Sequence, residues 1–266
     1  MPKSRPVGHI RYDNTDRVIL VTGGCSGIGR AICEEFLASG AAVVCCDIDA
    51  ENAKSLSPKI TFQQCDTSSE DNCHVAVEKT IERFGGIDVL VNNAAIQPPE
   101  TYHPLHELST DVWRRLLSIN FSGYTYMAKC SLKQMVQQQS GVIVNIASAQ
   151  GHRTAREVGV YGPIKAGNIM QARQWGIEYA RHGIRVVSVS PGAIDTPLAR
   201  ACIEEQGGAS ELINRHPVGR LGNPAEIAHA VMWLSSNDAA FITATDLEVD
   251  GGLGAFAAFA DPYPSP

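Results

Sequence analysis

No run of about 18 apolar residues occurs anywhere in the 266-residue sequence, so no segment reads as a membrane-crossing helix. No cluster of Lys or Arg occurs either. Lys and Arg number 22 against 28 Asp and Glu, a net charge of −6, so neither nucleic acid nor an anionic membrane is offered a basic face. The eight cysteines, Cys25, Cys33, Cys45, Cys46, Cys65, Cys73, Cys130 and Cys202, form no C-x-x-C pair. That spacing argues against a metal site or a dithiol redox motif, and scattered thiols fit a reducing, cytoplasmic setting. The stretch 1–17 lacks the apolar centre of a secretory leader. Linkers rich in Pro, Gly or Ser are missing too, which favours one domain over two.

What is present is an alternation. Short apolar runs at 17–22, 41–46, 60–65, 87–91, 142–146, 184–189 and 247–249 read as strands, several of them buried on both faces. Helical patterns separate them: one closing at Ser39-Gly40, then 69–84, 110–138, 157–182 and 224–235, the last opening on Pro224. Strand–helix alternation predicts an α/β fold: one doubly wound, mostly or fully parallel seven-stranded sheet with helices on both faces. Residues 1–16 read as a polar lead-in, 17–252 as the domain and 253–266 as a tail. The polar stretch 193–223, with Gly207-Gly208, breaks the rhythm; it is either a lid over a site or a solvated excursion.

Three constellations carry chemistry. The loop Gly23-x-Cys25-Ser26-Gly27-Ile28-Gly29 joins a buried strand to an amphipathic helix. Glycines let a phosphate approach the backbone, and the helix start presents free N–H groups to it. Asp47, before Ile48, ends the second strand 18 residues after Gly29. An acid there accepts hydrogen bonds from ribose hydroxyls and repels a 2′-phosphate, which favours NAD over NADP. Tyr161 and Lys165 stand four apart in V-Y-G-P-I-K-A-G, on one helix face. The ammonium favours the phenolate, and a phenol so tuned serves as acid or base.

Taken together, these residues resemble the single-domain branch of the short-chain dehydrogenase/reductase family, over about 17–252. The resemblance is carried by Thr22-Gly-Gly-Cys-Ser-Gly-Ile-Gly29, Asp66-Thr67, Asn92-Asn-Ala-Ala95, Asn120, Ser148, Tyr161-x-x-x-Lys165 and Pro191-Gly192. It implies a Rossmann-type domain and hydride transfer between NAD(H) and a secondary alcohol or ketone. Tyr161 would be the acid/base, Lys165 would tune it and bind the nicotinamide ribose, and Ser148 would hold the substrate oxygen. Asn120 would hold a water linking Lys165 to solvent. Asp66 and Thr67 would lie along the adenine, and Asn93, Ala94 and Ala95 along the cofactor edge. Pro191 and Gly192 would back the nicotinamide, Thr196 would reach its carboxamide, and Ile194 would also bind the cofactor.

By position, Ile96, Gln97, Gln150, His152, Ala193 and Leu198 are expected near the substrate. Ala95 stands where the family often has Gly, and Pro163 and Ile164 where it often has a small residue and Ser. Proline is tolerated only in a first turn, so the helix is expected to begin near 158–160. A homotetramer is implied, with the aromatic tail bearing Phe256, Phe259 and Tyr263 packed on a neighbour. Two alternatives remain open: an NADP-dependent ketone reductase, and a non-catalytic NAD sensor.

Overall fold

In the computed structural model, which describes residues 8, 10–205 and 209–256, the run Val18–Thr22 is β1, buried throughout. Ile19 and Val21 face one side of the sheet and Leu20 the other, the period-two alternation of a strand. After the glycine loop come α1 (Gly27–Ala38) and β2 (Ala42–Asp47), which lies parallel to β1 with Val18 opposite Ala42. A parallel neighbour needs such a crossover, because a tight turn only reverses the chain.

The remaining elements repeat the unit. They are α2 (Ala50–Ala53), β3 (Thr61–Gln64), α3 (Glu70–Phe84), β4 (Val89–Asn92), α4 (Thr110–Leu117), α5 (Gly123–Gln138), β5 (Gly141–Ile146), α6 (Tyr161–Tyr179), β6 (Ile184–Pro191), α7 (Pro197–Glu205), α8 (Ala209–Asn214), α9 (Pro224–Ser235) and β7 (Asp246–Val249). The seven strands form one sheet in the order β3-β2-β1-β4-β5-β6-β7, and every pairing is parallel. Between β1 and β4 the order reverses. Such a switch point opens a crevice at the carboxyl ends of the strands.

Helices cover both faces. Ile32 and Phe36 of α1 with Ile227 and Val231 of α9 pack against Ile19, Val21 and Val144. On the other side Val77 of α3, Met127 and Met135 of α5 and Ala172 of α6 pack against Leu20, Leu90 and Ile143. The predicted start of α9 holds: Pro224 is its first residue, and Asn223 and Glu226 cap each other's backbone in a capping box.

Two boundaries differ from the sequence expectation. The helix expected over 110–138 is broken by a π turn at Ser118–Ser122 between α4 and α5. The helix read over 157–182, with its start placed near 158–160, begins at Tyr161. Glu157 has φ 64, a left-handed conformation no helix continues through, and Val158 bridges to His103. Pro163 therefore falls in the first turn, where its missing N–H costs no intrahelical bond. Gly207-Gly208, Phe259 and Tyr263 lie outside the described residues.

Candidate active site

A cleft of about 530 Å³ opens where the strands end, lined by residues following β1, β2, β4, β5 and β6. Its nucleotide end is built by backbone. Gly23 has φ 66, and its N–H donates to the Cys46 carbonyl at 2.8 Å, turning the chain sharply off β1. Asn93 fastens this turn to β4: its Nδ2 donates to the Thr22 and Gly23 carbonyls at 2.9 and 3.1 Å. The N–H groups of Asn93 and Ala94 both donate to Thr22 Oγ1, at 2.9 and 3.0 Å. A Cβ on Gly29 would strike the Gly23 carbonyl oxygen and Asn93 Nδ2, so only glycine lets α1 approach this closely.

Ser26, Gly27 and Ile28 bring the start of α1 to the cleft, and no side chain caps that helix start. Asp47 stands beside it. One carboxylate oxygen accepts from the Cys25 N–H at 2.9 Å and the other from the Asp49 N–H at 3.0 Å, which orients the group. Asp49, Asp66 and Thr67 line the same end, and Ile48 is 62% exposed there. Cys25 turns its sulfur inward, 3.7 Å from Cys45 Sγ, where burial pushes its thiol pKa up. It therefore offers the cleft its backbone. A closely approached glycine turn, an uncapped helix start and an oriented carboxylate fit a dinucleotide: anionic phosphates at the helix start, ribose hydroxyls at the acid.

The other end carries Ser148, Tyr161 and Lys165, which all line the cleft. Ser148 follows β5 and caps a short turn, its Oγ accepting from the Gln150 N–H at 3.1 Å. Tyr161 opens α6 and is 8% exposed. Lys165, one turn on, is 1% exposed, with Nζ 5.6 Å from the Tyr161 ring centroid. Burial pulls its pKa down to about 7, because an ammonium loses its hydration there.

Asn120 lies in the π turn, fully buried. Its amide pairs both ways with the Ile96 backbone, donating at 2.8 Å and accepting at 2.9 Å, and its carbonyl accepts from Asn168 Nδ2 at 3.1 Å. It fixes the turn after β4 from behind the cleft wall.

Pro191, Gly192, Ala193, Ile194, Thr196, Ala95, Ile96, Gln97, Gln150 and Leu198 reach the cleft as placed by the sequence. His152 does not. Its Nε2 lies 2.7 Å from a carboxylate oxygen of Asp246, which is 3% exposed, so the ring pins the Ser148 turn to β7 instead of facing substrate. Sequence reasoning missed Tyr124, whose hydroxyl is 3.2 Å from Lys165 Nζ. Its spacing of four from Asn120 was the available signal. Tyr102, Ile203, Leu212 and Leu253, from four separate segments, were missed as well.

Comparison with known proteins agrees with this geometry. The family model described as enoyl-(acyl carrier protein) reductase matches residues 23–254. The chain is 36% identical to 2,5-dichloro-2,5-cyclohexadiene-1,4-diol dehydrogenase of Sphingobium indicum, over 91% of this chain and 99% of that protein. It is also 36% identical to cis-4-hydroxycyclohexanecarboxylate dehydrogenase of Sinomonas cyclohexanicum, over 90% and 97%. Among solved structures, levodione reductase superposes with a TM-score of 0.88 at 33% identity, covering 91% of this chain and 99% of that one. The 3-ketoacyl-(acyl-carrier-protein) reductase of Brucella melitensis complexed with NADH superposes with a TM-score of 0.84 at 29% identity, over 90% and 99%. With a match running through nearly the whole chain and the family's tyrosine, lysine and serine gathered in one cleft, the chain belongs to the short-chain dehydrogenase/reductase family of oxidoreductases.

Proposed function

We propose that this protein is an NAD-dependent dehydrogenase of uncharged, largely apolar cyclic secondary alcohols, acting equally on the corresponding ketones in reverse. One observation carries the reading: Ser148 and Tyr161 share a cleft with a buried Lys165, and no other charged side chain stands at that end among the described residues. Ile96, Leu198, Ile203, Leu212 and Leu253 make its wall. Beyond Lys165, which stands against Tyr161, a substrate carboxylate or phosphate would have no cation to meet there, and its desolvation would go uncompensated. Relatives named for a cyclohexadiene-diol and for levodione lend support.

The chemistry follows from the side chains. The Ser148 oxygen already accepts the Gln150 N–H, so its hydroxyl proton is left to donate to a substrate oxygen. Tyr161, held at the same oxygen, takes the alcohol proton as phenolate and returns it in the ketone direction. Lys165 holds positive charge against the Tyr161 ring, which favours the phenolate. When bound, the nicotinamide cofactor supplies the hydride acceptor. The residues following β1, β2 and β4 would hold its adenosine and phosphates; Pro191, Gly192, Ile194 and Thr196 would hold its nicotinamide.

Asp47, Asp49 and Asp66 are the charged groups at the nucleotide end, and no Lys or Arg lines it among the described residues. That supports NAD over NADP. The seven described cysteines are free and buried, which supports a reducing cytoplasm. Met170 and Ile177, seven apart on α6 and 58% and 73% exposed, offer an apolar face to a partner copy and support a homotetramer. The helices α7 and α8 bring Leu198, Ile203 and Leu212 over the cleft, and we assign them as the lid.

The test is NADH formation over paired cyclic alcohols, neutral and carboxylate-bearing, with NAD and with NADP. Turnover of the neutral members with NAD is expected, lost by at least about a hundredfold in Tyr161→Phe while NADH still binds. Full activity in Tyr161→Phe refutes the mechanism. Preference for carboxylate-bearing substrates refutes the substrate class, and tighter binding of NADPH refutes the cofactor choice.

A further inference from the structure

Lys165 lies between two tyrosine rings. Its Nζ is 5.6 Å from the Tyr161 centroid and 5.1 Å from the Tyr124 centroid. Tyr161 belongs to the lysine's own helix. Tyr124 comes from α5, just past the π turn, and is 1% exposed. Three hydrogen bonds close a small ring of atoms. Lys165 Nζ donates to the Tyr124 hydroxyl oxygen at 3.2 Å and to the Ile146 carbonyl at 2.8 Å, and the Tyr124 hydroxyl donates to that same carbonyl at 2.9 Å.

We propose that Tyr124 is a positioning residue of the active site: its hydroxyl holds the Lys165 ammonium charged and aimed at Tyr161. The proposal rests on the catalytic reading above and deepens it. A buried ammonium needs acceptors for its protons or it surrenders one. Among the described residues no carboxylate pairs with Lys165. The groups facing it are Tyr161 from α6, Tyr124 from α5 and the Ile146 carbonyl from β5. Two acceptors, the phenol oxygen and the carbonyl, thus take two of its three protons. The third is free for the cleft side, where Tyr161 stands.

Tyr124 suits this part because it stays a neutral phenol. Burial, and then the charge of Tyr161, push its pKa well above the ordinary value. Its own proton is committed to a carbonyl that accepts only. The oxygen therefore keeps a lone pair for Lys165. The ring matters less than the oxygen, since phenylalanine would fill the same volume without offering an acceptor.

The experiment compares the parent protein, Tyr124→Phe, Lys165→Met and the double variant, first without cofactor. Tyrosinate absorbance is followed against pH, and the part belonging to Tyr161 is identified by its loss in Tyr161→Phe. In Tyr124→Phe that part is expected to move up by roughly one pH unit, about a tenfold change, because less ammonium remains to favour the phenolate. In the Lys165→Met background, adding Tyr124→Phe is expected to move it no further, since no ammonium is left to hold. With a turned-over alcohol, the pH midpoint of kcat rises in parallel and KM stays within about twofold.

An unmoved titration in Tyr124→Phe overturns the proposal, and so does an equal shift in both backgrounds, which a purely structural role would give. If the parent oxidises no alcohol, the catalytic reading fails, yet the cofactor-free titration still decides the part played by Tyr124.

Discussion

The two ends of the cleft are built by different means. At the nucleotide end the geometry belongs to the main chain: the Gly23 turn, the Asn93 bonds to Thr22 and Gly23, and the Asp47 carboxylate gripped by two backbone N–H groups. Each piece comes from a segment of a few residues at a strand end. At the substrate end the shape belongs to side chains from distant segments, with the end of α8 fastened to the turn after β6 by a buried histidine. His216 Nδ1 donates to the Leu212 carbonyl at 2.7 Å, and its Nε2 accepts from the Ala193 N–H at 3.1 Å. Backbone geometry admits few residue types, so it constrains sequence tightly. A wall of Ile and Leu admits many, so it drifts with the substrate. By that argument the first end is the generic one and the second the one free to vary.

The sharpest way to break that contrast is to strike the generic end where there is no slack. Gly29→Ala places a methyl against the Gly23 carbonyl and the Asn93 amide at once. The clash is with backbone, so α1 and the turn must part, at a cost of about 1–3 kcal/mol in stability. Dinucleotide affinity is expected to fall by at least about a hundredfold, because contacts at the helix start depend on that approach. Fluorescence titration with NADH checks it. Near-normal affinity would mean the loop yields, and the nucleotide end would be no stiffer than the substrate end.

Lys165 sits at the seam of the two ends, and its effect on stability has a definite sign. Its folded pKa, about 7, lies below the unfolded value of about 10.4. Between those values the unfolded chain binds the extra proton, so stability rises with pH across roughly 7 to 10.4 and is lowest below 7. Lys165→Met removes the buried charge at similar length. It is expected to stabilise the cofactor-free protein near pH 7 by a few kcal/mol and to flatten that pH dependence. Urea unfolding at several pH values is the measurement. An unchanged slope would show that Lys165 keeps its proton through this range.

The same division explains what could be read from sequence. The seven strands were legible because each is a short apolar run, six of them closed by Gly, Asp or Asn and β5 by Ala147-Ser148, and their parallel pairing follows from the helices between them. The glycine loop, Asp47 and the Tyr161–Lys165 pair were legible from spacing, and Ser148 from the family resemblance that they carry. The π turn was not, since its cause is the Asn120 amide reaching across to Ile96, a contact 24 residues away. His152 was misplaced because Asp246, 94 residues on, claims it. The start of α6 was legible to within a few residues from Pro163, which is tolerated only in a first turn; the left-handed Glu157, which no residue pattern announces, keeps the helix from reaching back to 157. Tyr124 falls inside the stretch 110–138 read as one long helix and was not singled out; only the fold brings its hydroxyl to the lysine.

The gentlest test probes the substrate end alone. Leu198, the second residue of α7, is 40% exposed and lines the cleft beside the catalytic groups. In the proposed reading it would meet substrate by apolar surface, and about two-fifths of the residue is already exposed. Leu198→Ala therefore removes only part of a leucine's transfer free energy, and KM for a neutral cyclic alcohol is expected to rise about threefold to tenfold. kcat should hold, because Ser148, Tyr161 and Lys165 are set by β5, α5 and α6 rather than by α7. NADH affinity should hold too, because the turn of Gly23 and the carboxylate of Asp47 are fixed from β1, β2 and β4. A fall in kcat without a rise in KM would instead assign Leu198 to closing the lid over the reaction. The substrate end would then share the constraint that the nucleotide end shows in its backbone.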